Sequence, residues 1–495
     1  MQQLTFEAAA CGQNLLTYCQ EQGIYLAAAC GGNGTCGKCR VLVTAGAGAP
    51  TAQDQIVFSA EELAAGWRLA CCLTITAGMA VQLPDADAEE AIEAAADFNA
   101  PAGSGSKIFG GAGSPWVVAA DIGTTTIAAS LVDGASGLVV KTVTGINHQR
   151  RFGADVITRI EAAGKGKLAL LQEQIAGDLG ALAAQLGVDG AAAPFVIAGN
   201  TTMEHLLQGL DCRSLGVAPY TPVDISLHCC GQMLIMPGIS TFVGADIVSG
   251  VVACGMDQSD EIALLIDLGT NGEMVIGNRQ RMLAASTAAG PAFEGGNIQC
   301  GTAGIPGAIA ALTIDGETPQ VTTIGGEAPV GICGTGVLET VYELLKAEIV
   351  DETGLMDDDY ADEGYPLAPG VVFTAQDIRE VQLAKSAIRA GMEVLLTHYG
   401  IAAEDVERVY LAGGFGQKID VDKAIGIGLL SEAFAGRIAA VGNSALAGAV
   451  MLARDDTLQA RFVRVAEMAE EVALAEDVHF SEWFMEYMFF PEDDA

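Results

Sequence analysis

Basic residues are scarce in this chain. It carries 24 Lys and Arg against 62 Asp and Glu in 495 residues, a net charge of −38. A surface this acidic repels nucleic acid and anionic lipid, so neither is expected as a partner. Two readings of the excess remain open, a soluble acidic protein or an acidic docking face for a basic partner. Long apolar runs are lacking as well. Uncharged stretches such as 295–314 are broken by Gly and Pro, and none reads as a membrane span. The first residues, MQQLTFEAAACGQ, have neither a basic nor an apolar region of the kind a signal peptide needs. The thirteen cysteines are therefore expected to be reduced thiols or metal ligands in a cytoplasmic protein, not disulfides. The five histidines (148, 205, 228, 398, 479) are scattered at no metal-ligand spacing, and His228-Cys229-Cys230 has no second pair nearby. Two common nucleotide signatures are missing: there is no Gly-x4-Gly-Lys-Ser/Thr loop, and no Gly-x-Gly-x-x-Gly follows the first strand of the α/β region.

What is present is clustered. Five of the thirteen cysteines lie between positions 30 and 72. Cys30-Gly-Gly-Asn-Gly-Thr-Cys36-Gly-Lys-Cys39 places three thiols at x5 and x2 spacing in a glycine-rich loop. Glycines let backbone wrap closely around a cluster and aim N–H groups at its sulfurs. The fourth thiol must come from Arg68-Leu-Ala-Cys71-Cys72, 31 residues further on. Zinc is the rival, since four thiolates also suit it, but zinc sites usually come as two close pairs rather than three plus one. The spacing resembles that of [2Fe–2S] ferredoxins with an x5 first gap, of the adrenodoxin type. Arg68–Cys71 resembles the Arg-Leu-Ala-Cys segment in which such domains carry the last ligand. That favours Cys30, Cys36, Cys39 and Cys71 as ligands, with Cys72 as the alternative. If the segment is extended, Cys71 and Cys72 point to opposite faces and only one can serve. Cys11 and Cys19 read as ordinary packed thiols.

Composition divides the chain. Short alternating runs at Gln3–Phe6, Arg40–Thr44 and Met79–Leu83, with a helix over Leu15–Gln22, suggest a small ferredoxin-like α+β unit (β-grasp) over 1–84. Residues 85–114 are first acidic and Ala-rich, then Gly/Ser/Pro-rich, and read as a flexible linker. Beyond it the pattern is α/β. Apolar runs (WVVAADIG, PFVIAGN, IALLIDLGT, RVYLAGGFG) read as buried strands, and 167–186, 337–349 and 378–399 as helices. Aromatics make up only 6% while Ala and Gly abound, which suits closely packed helix-on-sheet layers. VVAADIGTTT and ALLIDLGTNGE, 146 residues apart, echo one another as a strand ending in Asp-x-Gly-Thr. That predicts two related lobes, 115–258 and 259–495, facing one cleft.

The echo carries chemistry. Gly123 and Gly269 let the chain turn hard, so Thr124, Thr125, Thr126 and Thr270, Asn271, Gly272 can bond phosphate oxygens. Asp121 and Asp267, opposite one another, can hold Mg²⁺ directly or through its waters. Gly334 and Thr335 open a helix that offers N–H groups to an anion. Gly413, Gly414, Phe415 and Gly416 follow a strand and let backbone pass flat against a nucleoside. Asp246 and Glu273, read as loop residues, are candidates for orienting an attacking water. Together these motifs resemble the actin / sugar kinase / Hsp70 ATPase superfamily.

The combination of the two modules resembles the reductive activators of corrinoid proteins, over nearly the whole chain. Further segments carry the likeness: Asn147-His-Gln-Arg-Arg-Phe-Gly153-Ala-Asp155-Val156, Gly199-Asn200-Thr201-Thr202-Met203, Val243-Gly244-Ala245-Asp246, Ala289-Gly-Pro291-Ala-Phe293-Glu-Gly295 and the Phe-Phe-Pro near the C-terminus. The resemblance implies ATP-dependent reduction of a Co(II) corrinoid protein to Co(I) through the cluster, serving a corrinoid-dependent methyltransferase system. It also implies an upstream electron donor and leaves room for a homodimer. Longer members carry an extra small domain between ferredoxin and ATPase, which the 30 or so residues here are too few to form. The rival readings are an ATP-driven electron-transfer protein for another low-potential acceptor and an ATP-binding redox sensor. Activators of 2-hydroxyacyl-CoA dehydratases, the nearest example of the first rival, lack a ferredoxin domain.

Overall fold

The structure is a computed structural model that describes residues 3–6, 10–22, 24, 26, 28, 30–83, 116–316 and 318–491. The expected linker, 85–114, lies outside the described residues. No helix among them is long and apolar enough to cross a membrane.

The N-terminal unit is a four-stranded antiparallel sheet in the order β1 (Gln3–Thr5), β4 (Ala80–Gln82), β2 (Arg40–Ala45), β3 (Trp67–Leu69). Helix α1 (Leu15–Glu21) contributes Leu15 and Leu16 to a core with Val41, Val43, Leu69, Ile75, Met79 and Val81. Two short helices not expected from the hydrophobic pattern follow β2: α2 (Ala52–Val57) and α3 (Ala60–Ala65). Each begins with a capping box, Thr51 with Asp54 and Ser59 with Glu62. Asp54 also accepts the Leu69 N–H at 2.8 Å, tying α2 to β3. α3 stops at Gly66 (φ +104), where a Cβ would come 2.6 Å from the Val43 carbonyl oxygen, so a glycine is required twice over.

The rest of the chain forms two lobes with one plan. The first sheet runs β7 (Val139–Ile146), β6 (Thr126–Asp133), β5 (Trp116–Ile122), β8 (Phe195–Gly199), β10 (Met233–Ile235), β9 (His228–Cys230). In the second, β11 (Ala263–Leu268), β12 (Gly272–Gly277) and β13 (Met282–Thr287) repeat the antiparallel meander of β5–β7. Two smaller pieces follow, β14 (Ala308–Asp315) with β15 (Thr318–Thr323) and β16 (Gly331–Ile332), and the hairpin β17 (Tyr365–Ala368)–β18 (Val371–Phe373). Then β19 (Arg408–Ala412) lies parallel to β11, as β8 does to β5. β20 (Ile438–Gly442) and β21 (Ala469–Glu471) complete the second sheet. The expected lobe duplication is therefore present strand for strand at the centre of each sheet.

Helices α4 (Val156–Ala162), α5 (Leu168–Leu186), α6 (Thr201–Gln208) and α7 (Ala245–Cys254) belong to the first lobe. The second carries α8 (Gly334–Lys346), α9 (Ala375–Tyr399), α10 (Gly413–Gly416), α11 (Val421–Gly426), α12 (Ser444–Arg454), α13 (Gln459–Met468) and α14 (Phe480–Glu486). α7 and α12 lie side by side between the two sheets. They approach closely because Gly250 faces Ser444 and Gly448 faces Ser249, where an added Cβ would meet atoms at 2.7 and 2.6 Å. Their apolar faces join Val117, Ala119 and Val196 of one sheet with Leu265 and Val275 of the other in a single buried cluster. The lobes are thus packed onto shared helices.

The C-terminal segment is fastened by α9. Lys385, buried, donates from Nζ to the carbonyls of Tyr487 (2.6 Å) and Phe489 (2.7 Å) and lies 4.9 Å from the Phe490 ring centroid. Gln382 donates to Met488 (2.8 Å) and to Thr353 (2.9 Å). Lys385→Met removes both donors and leaves two buried carbonyls unpaired, so it should lower stability by about 2–4 kcal/mol. Chemical unfolding measures the loss, and proteolysis should cut first near 487–491. An unchanged unfolding midpoint would show that the segment is not held this way.

Candidate functional site

Thiols and carboxylates gather at two places. The first is the loop Cys30–Cys39. Gly32 (φ +95) and Gly34 (φ +78) hold it in a left-handed path, and a Cβ on either would press on Leu16 (3.2 Å) or Gln53 (3.3 Å). Burial would raise the Cys30 thiol, but N–H groups of Cys36, Thr35 and Gly32 directed at its sulfur outweigh burial and hold it down at about 6. Cys30 is also hydrogen-bonded to Cys36. Across the loop the Cys71 thiol bonds Cys39 and holds it at about 7. Cys71 is anchored through its carbonyl, which accepts from Asn14 Nδ2 at 2.8 Å, while Ala70 N–H donates to the Cys39 carbonyl at 2.8 Å. Cys30 and Cys39 are thus held toward the thiolate, while burial raises Cys36 and the bond to Cys39 raises Cys71. The four thiols pair as Cys30 with Cys36 and Cys39 with Cys71, a donor set that an iron–sulfur cluster can use.

The segment that carries Cys71 and Cys72 is not extended, so the condition under which they would point to opposite faces is not met. Ala70–Cys72 is a 3₁₀ turn, not extended, because Leu73 N–H bonds back to the Ala70 carbonyl. The two sulfurs lie 3.8 Å apart. Cys71 is the one bonded to Cys39, whereas Cys72 borders Gly34. Cys19 is fully buried, its thiol pushed up to about 12 by burial, and Cys11 is exposed.

The second place is the cleft between the hairpins β5–β6 and β11–β12. Gly123 N–H closes the first turn on Thr126 (2.9 Å), and Gly269 N–H the second on Asn271 (3.1 Å). The carbonyls of Gly123, Thr124 and Thr125 all accept from one segment: Asn147 Nδ2 (2.9 Å), Arg159 Nη2 (2.6 Å) and Asn147 N–H (2.9 Å). Peptide units are planar and trans, so the Thr124 and Thr125 N–H groups point the opposite way, into the cleft.

Four carboxylates face this space. Asp121 ends β5, and Asn443, the N-cap of α12, donates to it at 2.7 Å. Asp267 ends β11 against Gly413, where a Cβ would meet its Oδ1 at 2.8 Å. Asp246 and Glu273 were expected in loops. They sit instead in the first turn of α7 and at the start of β12, where hydrogen bonding fixes their backbone. Burial raises Asp121 to about 7, with the nearby Asp246 charge adding to it. Burial likewise raises Asp246 to about 6, despite backbone N–H groups that favour its charged form. Asp267 rises to about 8 through burial and then through Asp246, Asp121 and Glu294. Glu273 is pushed well up by burial and by the same three aspartates. Carboxylates that raise one another in this way call for a cation. No three such groups among the described residues close on one point as direct ligands. Mg²⁺, which keeps several waters, fits that spacing by being held through them.

Sequence reasoning missed three contributors. Glu294 accepts from Thr270 Oγ1 at 2.9 Å and also bonds Thr125, so it spans the two loops. Asn200, the N-cap of α6, donates to Thr124 Oγ1 at 3.1 Å, and Asn443 holds Asp121. The Asn-x-x pattern of helix caps was legible in the last two, but their role depends on where the caps land. Gly334 opens α8 packed against the Phe293 carbonyl and the Phe415 ring, with Thr335 Oγ1 bonded to Cys333 Sγ. Phe415 is turned inward, its ring stacked on Phe293 at 4.9 Å, and Gly416 is buried beside it. Of residues 413–416, only Gly414 is open.

Comparison with known proteins fits each part. Residues 2–76 match the 2Fe-2S iron-sulfur cluster binding domain, 116–259 the RACo middle region, and 261–495 the C-terminal ASKHA domain of RACo. The chain is 31% identical over 413 residues to the corrinoid activation enzyme RamQ of Eubacterium limosum, covering 74% of this chain and 69% of that one. It is 26% identical over 401 residues to the [Co(II) methylated amine-specific corrinoid protein] reductase of Methanosarcina barkeri, covering 72% of each. A solved structure titled a reductive activator for corrinoid, iron-sulfur protein superposes with a TM-score of 0.70 at 28% identity, covering 99% of this chain and 97% of that one.

Two predictions follow from this geometry. Cys71→Ser should abolish the visible absorption of the iron-loaded protein while Cys72→Ser keeps it; the reverse pattern would exchange their assignments. In the cleft, folded-state carboxyls raised above the ordinary 3.8 hold protons that the unfolded chain has lost. Metal-free stability should therefore fall as pH rises from about 4 to about 8. Asp267→Asn should flatten that fall, and millimolar Mg²⁺ should reduce it. Thermal unfolding at pH 5, 6.5 and 8 reads both effects, and parallel curves for the two proteins would remove the charge-crowding account.

Proposed function

The chain belongs to the family of reductive activators of corrinoid proteins, and from that premise we propose that it couples ATP binding between its lobes to reduction of a corrinoid protein from Co(II) to Co(I). The observation that carries the proposal is the presence, in one chain, of a cluster of four thiols, three in one loop and the fourth at Cys71, beside a carboxylate-lined cleft between two lobes. A [2Fe–2S] cluster held by Cys30, Cys36, Cys39 and Cys71 supplies electrons singly, which is what the Co(II)/Co(I) couple takes up.

The residues divide the work. Thr124 and Thr125 N–H groups, with Thr126 and Thr270–Gly272, cradle phosphate oxygens. Asp121 and Asp267 hold Mg²⁺ through its waters. Asp246 and Glu273 lie next to both and can orient water; at neutral pH a raised carboxyl can also accept a proton. Gly414 leaves backbone open for the nucleoside beside the N-terminus of α8. ATP acts on conformation: closing the lobes changes how the partner is gripped. Each tenfold preference for the partner's Co(I) state shifts the one-electron equilibrium by about 59 mV.

The test mixes the reduced protein, Mg-ATP and a Co(II) corrinoid protein without oxygen and follows the Co(I) absorption. Co(I) should appear only when all three are present. Cys39→Ser should abolish it, and Asp267→Asn should slow ATP turnover by roughly 100-fold or more. Co(I) formation independent of ATP, or ATP turnover indifferent to any Co(II) corrinoid protein, would count against the proposal.

A further inference from the structure

The ferredoxin unit is seated on the first lobe. Gln20, on α1 and 2% exposed, donates from Nε2 to the Arg151 carbonyl and accepts at Oε1 from Lys167 Nζ (2.6 Å). Lys165 reaches Asn33 of the thiol loop at 3.5 Å. Gly31, adjacent to Cys30, lies against the strap 147–167: a Cβ there would be 3.2 Å from the Phe152 carbonyl oxygen and 3.7 Å from Thr158 Cβ.

The same strap holds the Gly123–Thr126 turn from behind, and Arg159 ties that turn to Gly153, next to the residues that meet Gly31. Its guanidinium is fully buried and has no carboxylate within ion-pair distance among the described residues. Nη2 donates to the Thr124 carbonyl at 2.6 Å, Nε to the Gly153 carbonyl at 3.0 Å, and Nη1 points at Met203 Sδ at 3.1 Å. Gly153 follows Phe152, whose carbonyl touches Gly31, and a Cβ on Gly153 would collide with Thr158, the other residue against Gly31. One planar fork therefore spans from the Thr124 carbonyl to that of Gly153, which follows Phe152 in the chain and is packed against Thr158, the two residues on which the thiol loop rests. The Asp155 and Asp178 carboxylates act on this guanidinium only from beyond ion-pair distance, so its direct partners are the two carbonyls and Met203.

We infer that Arg159 is a positioning residue that links nucleotide binding to the seating of the thiol loop on the first lobe, so that nucleotide in the cleft tightens that seat. The inference rests on the ATP and cluster roles proposed above and adds the route between them. Linkage makes the effect reciprocal: loosening the seat must weaken nucleotide by the same factor as nucleotide tightens the seat. A phosphate pulling on the Thr124–Thr125 N–H groups draws on the carbonyls behind them, and Arg159 carries that to Gly153.

The test uses the full chain with its cluster loaded and a non-hydrolysable ATP analogue with Mg²⁺. Hydrogen exchange of residues 14–36 is followed with and without the analogue, and analogue affinity is measured by calorimetry. In the unaltered protein the analogue should slow exchange over 14–36 by about fivefold or more. Arg159→Lys keeps the charge but not the fork, and it should remove the slowing and weaken the analogue by a similar factor. Gln20→Ala serves as the second variant: it touches neither thiols nor cleft, should leave the cluster absorption unchanged, and should also remove the slowing and weaken the analogue by a similar factor. Equal slowing in both variants and the unaltered protein, or none in any of them, would overturn the inference. Failure of the analogue to bind, or of the protein to take up iron, would instead overturn the functional proposal beneath it.

Discussion

Four carboxylates that repel one another sit at the centre of this molecule, and the rest of the architecture keeps them there. Raising Asp267 from 3.8 to about 8, first by burial and then by its neighbours, corresponds to several kcal/mol when it is ionised, at roughly 1.4 kcal/mol per pKa unit. Neither hairpin could hold such a group against the other alone. What offsets the repulsion is apolar: α7 and α12, pressed together at Gly250 and Gly448, bury one continuous cluster that takes in strands of both sheets. The cleft is thus a polar defect maintained by a core that spans it. A ligand bringing its own cation relieves the repulsion, which gives the cleft an intrinsic reason to prefer a metal-bound anion.

The duplicated lobes use corresponding segments for opposite ends. In the first lobe, the chain leaving the third strand of the meander places Asn147 and Arg159 behind the Gly123–Thr126 turn, where they bind its carbonyls. In the second, the chain leaving the third strand brings Glu294 across to the hydroxyls of Thr270 and Thr125. Donors turn a loop's N–H groups outward. An acceptor bridging two hydroxyls ties the two loops to each other. The duplication supplies the geometry, and the divergence of these two segments supplies the polarity.

Much of this was legible in the sequence, for reasons that can be named. The Asp-x-Gly-Thr echo is a local event, a strand running into a hairpin, and local events survive as pattern. The thiol loop is likewise contiguous. The short helices of the N-terminal unit escaped the hydrophobic periodicity, yet Thr51-x-x-Asp54 and Ser59-x-x-Glu62 announced them as capping boxes. Glu294, Asn443 and Arg159 were not legible, because each acquires its partner only through packing: Asn443 meets Asp121 across 322 positions. The condition placed on Cys71 and Cys72 failed differently. It required an extended backbone, and a single 3₁₀ hydrogen bond from Leu73 turned both thiols to the same side.

Among the described residues the ferredoxin unit rests on the first of two related lobes, and that asymmetry has a physical basis. Its seat consists of backbone carbonyls at Arg151 and Phe152, a lysine pair at 165 and 167, and a buried glutamine. In a chain with 62 acidic and 24 basic residues, a surface offering two lysines within one turn is unusual. Both lysines bond side-chain amides of the ferredoxin unit, Lys167 that of Gln20 and Lys165 that of Asn33. The pair lies at the break between α4 and α5, where Gly166 (φ +90) interrupts the helical path and turns the chain toward the thiol loop. The place where the unit settles is also where the strap behind the Gly123–Thr126 turn reaches the surface, so hydrogen bonds to that strap give the seated position access to the cleft.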